Sequence, residues 1–463
     1  MTKKTLLFGL AIGLALPLGA FAQPAPVGEP VLIDRAAPYG QRLAAVVAAD
    51  DGSFIVAWQE TRNGYESRLV AGRFDARYRP LGPKMVVNGW SKELVWMPPI
   101  LASLGPGRAV VGWLVERSET WQWNIFVRRL DFLAHVADPR FEVATVRWGY
   151  GQPFDLCADG KSHVVVAWRA PSALLAQRFD ALGTPATSPL TVAEGLSESQ
   201  GATVGCAADG VFALAWSELD DDSYGTVARV WIQRFDRSGR ALAPPYRALE
   251  FEPYYYYSGG SSQPCTRLTM APAGSFAVIS DGHAALFDRD GIPRGEERDD
   301  GVGPCCVSCD GFQRAVARDE RSFRWVALSS DRNFEGSSSG DPILWMSDRL
   351  VELRVRPKAG WSVVKPVVIG GSFECPDLSG DGHGGYVAVW TSGEGIAALR
   401  FDAAQPGSVR FLSADRKLLV ENAAYPLWLL LERRGGSGGR VSVAVDASGS
   451  ATEGSDYWSY PKS

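Results

Sequence analysis

The sequence predicts an all-β fold, a seven-bladed β-propeller followed by a partial C-terminal β-sandwich module, with six and eight blades as alternative counts. Two observations predict it. An Asp-Gly turn followed by an apolar strand that ends in Trp recurs along the chain, and most copies are followed by Arg-Phe-Asp. The composition, with 50 Gly, 29 Pro and 11% aromatic residues, also suits strands that are joined by many turns.

The repeat interval gives the blade count. The turn-and-strand phrase is clearest at residues 51–58, 159–168, 209–216 and 382–390. The aspartates that end the Arg-Phe-Asp copies and two weaker copies lie at positions 75, 131, 180, 236, 288 and 402, so the steps are 56, 49, 56, 52 and 114 residues. The last step spans two periods. A degraded blade is therefore expected at about 303–370, with its third and fourth strands at 350–356 and 361–369.

The third repeat shows how one copy is expected to fold. Its strands are predicted at 153–157, 163–168, 174–179 and 187–192, with turns at 159–160 and 180–183. Four antiparallel strands make one blade. The seventh copy has no clear fourth strand, whereas an orphan strand at 30–34 precedes the first copy. We therefore expect residues 30–34 to pair with residues 396–401, which closes the ring and removes two open sheet edges.

Residues 1–22 have the pattern of a secretory signal peptide. Lys3 and Lys4 precede an apolar stretch at 6–19, and Ala20-Phe21-Ala22 forms a small-x-small cleavage site. The chain is therefore expected to be a bacterial protein that is secreted, periplasmic or at the cell surface. We also expect it to have no membrane span and to be a monomer. The net charge of −5 gives no basic surface for nucleic acid.

The quoted repeats resemble the propeller-like arrays of secreted bacterial proteins, and this resemblance covers residues 28–405. After residue 407 the pattern changes: 420–422 reads Val-Glu-Asn, 433–436 reads Arg-Arg-Gly-Gly, and 451–457 ends in Asp-Tyr. This tail resembles the first half of a Calx-β domain, a calcium-associated β-sandwich. The expected division is a signal peptide at 1–22, a propeller at 23–407 and a partial Calx-β domain at 408–463.

Calcium is the one cofactor that the sequence suggests. The Calx-β resemblance implies that Glu421 and Asp456 help to ligate it, but the chain stops before the later acidic cluster of that family. Calcium commonly takes 6–8 oxygen ligands, so a partial sandwich without metal is the favoured alternative. Asp377 and Asp381, in an acidic Asp-Gly loop, form a second and weaker candidate, for which a plain turn is the favoured interpretation.

Seven cysteines lie between residues 157 and 375. Equivalent strands of adjacent repeats should be neighbours, so disulfides such as Cys157–Cys206 are allowed in an exported chain. The odd number leaves at least one thiol over. Cys305, Cys306 and Cys309 lack a second pair at metal-binding spacing, which favours a structural role over a metal site.

The two faces of the predicted propeller differ. The loop face carries the loops between second and third strands and the links between blades, whereas the turn face carries short Asp-Gly and Asp-x-x-Gly turns. Insertions and aromatics collect on the loop face, which predicts a ligand-binding face there. Packing between blades is the alternative role of the tyrosine run. The predicted face comprises Trp121, Trp123, Asp220, Asp221, Asp222, Tyr254, Tyr255, Tyr256 and Tyr257.

The sequence contains no local catalytic motif such as His-Glu-x-x-His or Gly-x-Ser-x-Gly. We therefore expect a non-catalytic binding or scaffold protein that engages a glycan or protein partner, and we expect no enzymatic activity. The alternative is a glycan-active hydrolase or lyase that uses loop-face carboxylates such as Glu218, Asp220 or Asp222. The tryptophans that end the second strands are expected to pack between blades rather than bind ligand.

Overall fold

The computed structural model describes residues 25–26, 30–402, 408–411 and 431–434, and within 311–368 it describes few side chains. Within 30–402 the description leaves out residues 37, 93–97, 118–121, 148–152, 161–162, 181, 197–201, 223–224, 253–254, 257–259, 262–265, 282, 299–310, 320–321, 332–342, 353–361, 369–373 and 382–384. The chain divides into two compact units, Ala25–Asp402 and a second unit of Met1–Pro24 with Ala403–Ser463. The described residues include no helix that is long and apolar enough to cross a membrane.

All regular structure in the described residues is β-strand. The chain begins with β1 (Ala25–Pro26) and β2 (Val31–Arg35). The first sheet contains β3 (Gly40–Ala48), β4 (Phe54–Arg62), β5 (Glu66–Phe74) and β6 (Met85–Ser91). The second contains β7 (Ile100–Ser103), β8 (Arg108–Arg117), β9 (Gln122–Asp131), β10 (Val136–Ala137) and β11 (Phe141–Arg147). The third contains β12 (Phe154–Ala158), β13 (His163–Ala170), β14 (Ala173–Asp180) and β15 (Leu190–Glu194).

The later part of the chain repeats this arrangement. The fourth sheet contains β16 (Ala202–Cys206), β17 (Phe212–Asp222), β18 (Gly225–Phe235) and β19 (Tyr246–Phe251), and a small hairpin of β20 (Tyr255–Tyr256) and β21 (Gly260–Ser261) follows. The fifth contains β22 (Thr266–Met270), β23 (Phe276–Ser280), β24 (His283–Phe287) and β25 (Pro293–Arg298). The sixth contains β26 (Gly311–Asp319), β27 (Ser322–Asp331), β28 (Ile343–Glu352) and β29 (Ser362–Val368). The seventh contains β30 (Glu374–Gly380), β31 (Tyr386–Ser392) and β32 (Gly395–Asp402). In the second unit, β33 (Ser408–Phe411) pairs with β34 (Leu431–Arg434).

Within the unit Ala25–Asp402, the described strands form seven antiparallel sheets of four or five strands, besides the hairpin of β20 and β21. Six of them use consecutive strands, and the seventh combines β30–β32 with β1 and β2. The first strand of each sheet contacts the first strand of the next, from β3 through β7, β12, β16, β22, β26 and β30 and back to β3. Apolar side chains from facing sheets interdigitate in the gaps, as in the cluster that joins the first and second sheets. This is a β-propeller fold.

Four of the tryptophans that end the second strands lie in these gaps, as predicted: Trp58, Trp113, Trp168 and Trp216. Trp58, Trp113, Trp168, Trp216 and Trp390 are all 5% exposed or less. Burial of so large a side chain at one repeated position makes a large hydrophobic contribution at each inter-sheet contact. The packing role that the sequence predicts is confirmed for the four tryptophans in these gaps.

The seventh sheet is completed by the N-terminal strand. Strand β2 pairs with β32, and Val31 lies opposite Ala398 while Arg35 lies opposite Gly395. The shorter β1 pairs with the far end of the same strand. The predicted pairing of residues 30–34 with residues 396–401 is confirmed, and it covers the outer edge of β32, which would otherwise expose unpaired backbone groups.

Strand bounds in the third repeat agree with the prediction to within a few residues. The sixth sheet differs more. Its third strand is Ile343–Glu352 rather than 350–356, and its fourth strand, Ser362–Val368, falls within the predicted range. The apolar residues Ile343, Leu344 and Met346 form the start of β28, a stretch in which the repeated motif is lost. The predicted disulfide between Cys157 and Cys206 is present.

Candidate functional site

The loop face is where the hairpins between second and third strands end. Two members of the predicted ligand-binding face have described side chains, Asp220 in the fourth sheet and Trp123 in the second. Asp220 is exposed and forms an ion pair with Arg229 at 2.5 Å. Trp123 is 4% exposed and belongs to the apolar core between the second and third sheets, so its ring is not an exposed anchor.

The remaining members of that predicted face are not brought together by the described structure. Trp121, Tyr254 and Tyr257 lie outside the described residues. Asp221, Asp222, Tyr255 and Tyr256 lie in strands whose side chains are not described. A ligand-binding role of these residues therefore stays a prediction.

Glu218 is a loop-face carboxylate that a neighbouring side chain holds in position. It lies two residues after Trp216 in β17, and the indole Nε1 of Trp216 donates a hydrogen bond of 3.1 Å to Glu218 Oε1. Trp216 is itself 2% exposed and fixed in the core. Among the described residues Glu218 has no ion pair, whereas Glu250 in β19 is held by Arg229 at 2.9 Å. The indole therefore orients a half-buried carboxylate without neutralising it.

A second glutamate occupies the equivalent position of the first sheet. Glu60 lies two residues after Trp58 and is 1% exposed. Its carboxylate meets Arg68 at 2.6 Å and Lys84 at 3.1 Å, and Lys84 also meets Asp34 at 3.0 Å. Burial alone would lower the pKa of Lys84, but the hydrogen bonds to Asp34 and Glu60 outweigh it and raise that pKa. The network joins the first sheet to the N-terminal strand.

Glu60 is not among the residues predicted from the sequence. The signal was available, because Glu follows Trp by two residues in both the first and the fourth copies. Alternation along a strand places that Glu on the same side of the sheet as the buried Trp. The structure adds that Glu60 is held between two cations, whereas Glu218 is held by an indole.

A further set of polar side chains is buried just below the loop face. Each follows the tryptophan of its second strand directly, so alternation turns it toward the next sheet around the ring. Buried polar groups are costly unless they are hydrogen-bonded, so four at one repeat position mark this level of the ring as polar. The set is Gln59, Arg169, Ser217 and Thr391, all 4% exposed or less.

The described calcium candidates have protein partners. Asp377 Oδ2 accepts a hydrogen bond of 2.8 Å from the backbone N–H of Val46 in the first sheet. Asp381 accepts one of 2.9 Å from the N–H of Gly385 and lies 3.6 Å from Arg400. No group of three or more metal-ligating side chains occurs among the residues that the structure describes. Glu421 and Asp456 lie outside those residues.

No protein-family model and no curated protein matches this chain. Among solved structures, an α-L-arabinofuranosidase of Fusarium graminearum is 11% identical, with a TM-score of 0.44, over 72% of this chain and 99% of that one. An α-L-arabinanase of Penicillium chrysogenum is 10% identical, with a TM-score of 0.41, over 82% and 98%. The Dos1 propeller is 9% identical, with a TM-score of 0.43, over 82% and 95%. Likeness at this level concerns the fold.

These neighbours correct one prediction. A non-catalytic binding or scaffold role without enzymatic activity is the expectation that they contradict: glycosidases share this fold, so the fold does not favour a non-catalytic role over the enzymatic alternative. The expectation relied on the absence of local catalytic motifs. A propeller gathers side chains from several sheets onto one face, so a short sequence motif is a poor indicator of catalysis in this fold.

Proposed function

We propose that this chain is a glycan-active hydrolase whose substrate lies on the loop face and whose general acid/base is Glu218. The observation that carries the proposal is the hydrogen bond of 3.1 Å from the Trp216 indole to the Glu218 carboxylate. A catalytic carboxylate must be held in position and remain able to exchange a proton. Glu218 meets both needs, because its partner is a neutral donor and one of its oxygens is free of that bond.

Glycoside hydrolysis uses a pair of carboxyl groups. One gives its proton to the glycosidic oxygen as the bond to the anomeric carbon breaks. The other takes a proton from the water whose oxygen bonds to that carbon. In this proposal Glu218 fills one role, and Asp222, at the tip of the same hairpin, is the second candidate. Asp220 is a weaker one, because Arg229 binds its carboxylate.

The test is product release from a panel of glycans by the purified chain without residues 1–22. The panel includes α-L-arabinofuranosides, sialosides, uronic-acid polymers and neutral polysaccharides, because the described residues do not select among them. Glu218→Gln should lower kcat by about 10² to 10⁴-fold, the range of general acid–base catalysis, without lowering the melting temperature. Glu250→Gln, which changes a nearby carboxylate held by Arg229, is the matched control and should leave kcat within about twofold.

Cleavage of none of these glycans, or an unchanged kcat in Glu218→Gln, would contradict the proposal. The architecture proposed with it is a seven-bladed propeller, exported after removal of residues 1–22 and monomeric. The seven sheets in sequence order support that blade count. The Calx-β resemblance supports a partial C-terminal sandwich. Glu421 and Asp456 are its candidate calcium ligands, and a sandwich without metal is the favoured interpretation.

A further inference from the structure

Strand β3 contains a bulge at its loop-face end. Arg42 lies opposite Gln59, but the next regular pair is Ala45 with Ala57, so two residues of β3 oppose the single residue Trp58. Leu43, within the bulge, has φ = 57°, a left-handed value that a leucine rarely adopts. The other non-glycine residues with positive φ in the described chain lie in turns between strands.

Because of the bulge, β3 continues past the position opposite the second-strand tryptophan, whereas in most sheets the first strand has ended by that position. In the third and fourth sheets the equivalent ladder ends opposite Trp168 and Trp216. In the first sheet it continues for three more pairs and carries Arg42 to the rim of the ring. The adjacent seventh sheet has a similar irregularity, with Glu374 opposite Thr391. Bulges and strained backbone collect at functional sites, where they redirect a side chain.

The redirected side chain meets a buried amide. Arg42 Nε donates a hydrogen bond of 3.0 Å to Gln59 Oε1. Gln59 is fully buried, and its Nε2 has no partner. Alternation along β4 turns Gln59 to the side of Ile55 and Ala57, which pack against the second sheet. A buried N–H donor without an acceptor is rare and costly, and here it lies beside a guanidinium.

Arg42 also differs from the other cations at this corner of the molecule. Arg68 and Lys84 each have carboxylate partners. Arg42 is only partly buried, and among the described residues it forms no ion pair. Because Nε is bound to Gln59, the two terminal amino groups of the guanidinium remain available. Their planar fork matches the two oxygens of a carboxylate.

We propose that Arg42 and Gln59 form a subsite for the carboxylate of an acidic sugar at the loop-face end of the gap between the first two sheets. Arg42 supplies two parallel N–H donors, and the Gln59 amide supplies a third. That the ligand is a sugar rests on the proposed function, whereas the recognition of a carboxylate rests on these donors alone. A uronate and a sialate present the same group, so both are tested.

The test is calorimetric titration of the Glu218→Gln variant, in which turnover is suppressed, with a galacturonate trisaccharide, a sialyllactose and a neutral galactose trisaccharide. At least one acidic sugar should bind about tenfold or more tightly than the neutral one. Adding Arg42→Ala should abolish that preference, and Arg42→Lys should restore only part of it, because lysine keeps the charge and loses the fork. Arg35→Ala, at an exposed arginine of β2, is the control.

The subsite proposal would be overturned by equal affinity for acidic and neutral sugars, or by no binding of either acidic sugar. It would also be overturned if Arg42→Ala kept the preference for the acidic sugar at an unchanged melting temperature. Binding that depends on Arg42 without any cleavage by the wild-type chain would support the subsite and contradict the hydrolase. The affinity for the acidic sugar should also fall as salt is added, because the contact is between charges. Gln59→Leu, which removes the amide at similar volume, should weaken acidic-sugar binding and leave neutral-sugar binding unchanged.

Discussion

At the scale of single residues, the repeated Arg-Phe-Asp has a structural role on the turn face. Its aspartate caps the turn between the third and fourth strands: Asp236 Oδ1 accepts hydrogen bonds from the N–H groups of Ser238 at 2.8 Å and Arg240 at 3.0 Å. Its arginine joins neighbouring sheets, since Arg400 donates to the Gly52 carbonyl at 2.7 Å. The motif recurs because each blade needs the same turn and the same contact.

These capping aspartates predict a loss of stability in acid. Burial tends to raise the pKa of Asp131, Asp180 and Asp288, but hydrogen bonds from backbone N–H groups and from side chains outweigh it and lower each pKa. A lowered folded-state pKa stabilises the fold above the unfolded value of about 3.9, and that stabilisation disappears as pH falls through the folded value. The free energy of unfolding by denaturant should therefore be level from pH 7 to about pH 5 and should fall below it.

Asp131→Asn is the matched variant for this prediction. Asp131 is 6% exposed and accepts hydrogen bonds from Arg108 and from two backbone N–H groups. The amide keeps an acceptor and loses the charge, so the variant should be about 1–2 kcal/mol less stable at pH 7 and less sensitive to acid. Asp290→Asn, at an exposed aspartate, should resemble the wild type. A wild-type stability that stays level down to pH 3 would refute the role of the caps.

At the scale of strands, the innermost strand of a sheet has an open edge toward the ring axis, and side chains from the preceding sheet cover part of it. Asp377 accepts from Val46 N–H at 2.8 Å, Asp155 from Val204 N–H at 2.9 Å, and Thr203 from Leu268 N–H at 3.2 Å. Each bond runs from one first strand to the next. Because unpaired buried N–H groups are costly, these bonds fix the spacing of adjacent blades.

The disulfide belongs to the same level of the fold. Cys157 in β12 and Cys206 in β16 join two adjacent first strands across a sequence separation of 49 residues. Cross-linking a loop of that length should stabilise the fold by about 4 kcal/mol in the chain-entropy model. We expect dithiothreitol to lower the melting temperature of the wild type. The double variant Cys157→Ser/Cys206→Ser should have a lower melting temperature than the wild type in the absence of reductant. Added reductant should lower it less.

The variant with both cysteines replaced separates this bond from the other five cysteines of the chain. If reductant shifts the wild type and the double variant equally, the Cys157–Cys206 bond does not stabilise the fold. If reductant changes neither melting temperature, and the double variant melts at the same temperature as the wild type, the bridge is absent from the protein in solution.

Strands and turns could be predicted from sequence where the local signal agrees with the fold. In the third repeat an Asp-Gly turn, an apolar run and Trp168 set the second strand almost without error. The third strand of the sixth sheet was misplaced because its copy has lost the motif. The burial of Trp123 and the bulge before Ala45 were not predictable, since both depend on how a neighbouring sheet packs against the residue.

At the scale of the whole molecule, a ring of sheets depends on its closing contact. Strand β2 fills the outer position of the seventh sheet, and Ile33 packs against the apolar cluster shared by the first and seventh sheets. Asp34 from the same strand pairs with Lys84 of the first sheet. The five residues of β2 thus join the two sheets that are farthest apart in sequence.

Removing this strand should weaken the whole ring rather than one blade. Deletion of residues 23–36 exposes the edge of β32, removes a ladder of about four hydrogen bonds, each contributing about 1 kcal/mol, and uncovers the Ile33 contact. We expect the melting temperature to fall by roughly 5–10 °C in a single broadened transition. Ile33→Asp should reproduce much of the effect, because it places a charge in an apolar cluster, whereas Arg35→Ala at the exposed end of β2 should not. A deletion variant that melts like the wild type would show that the ring is stable without its N-terminal strand.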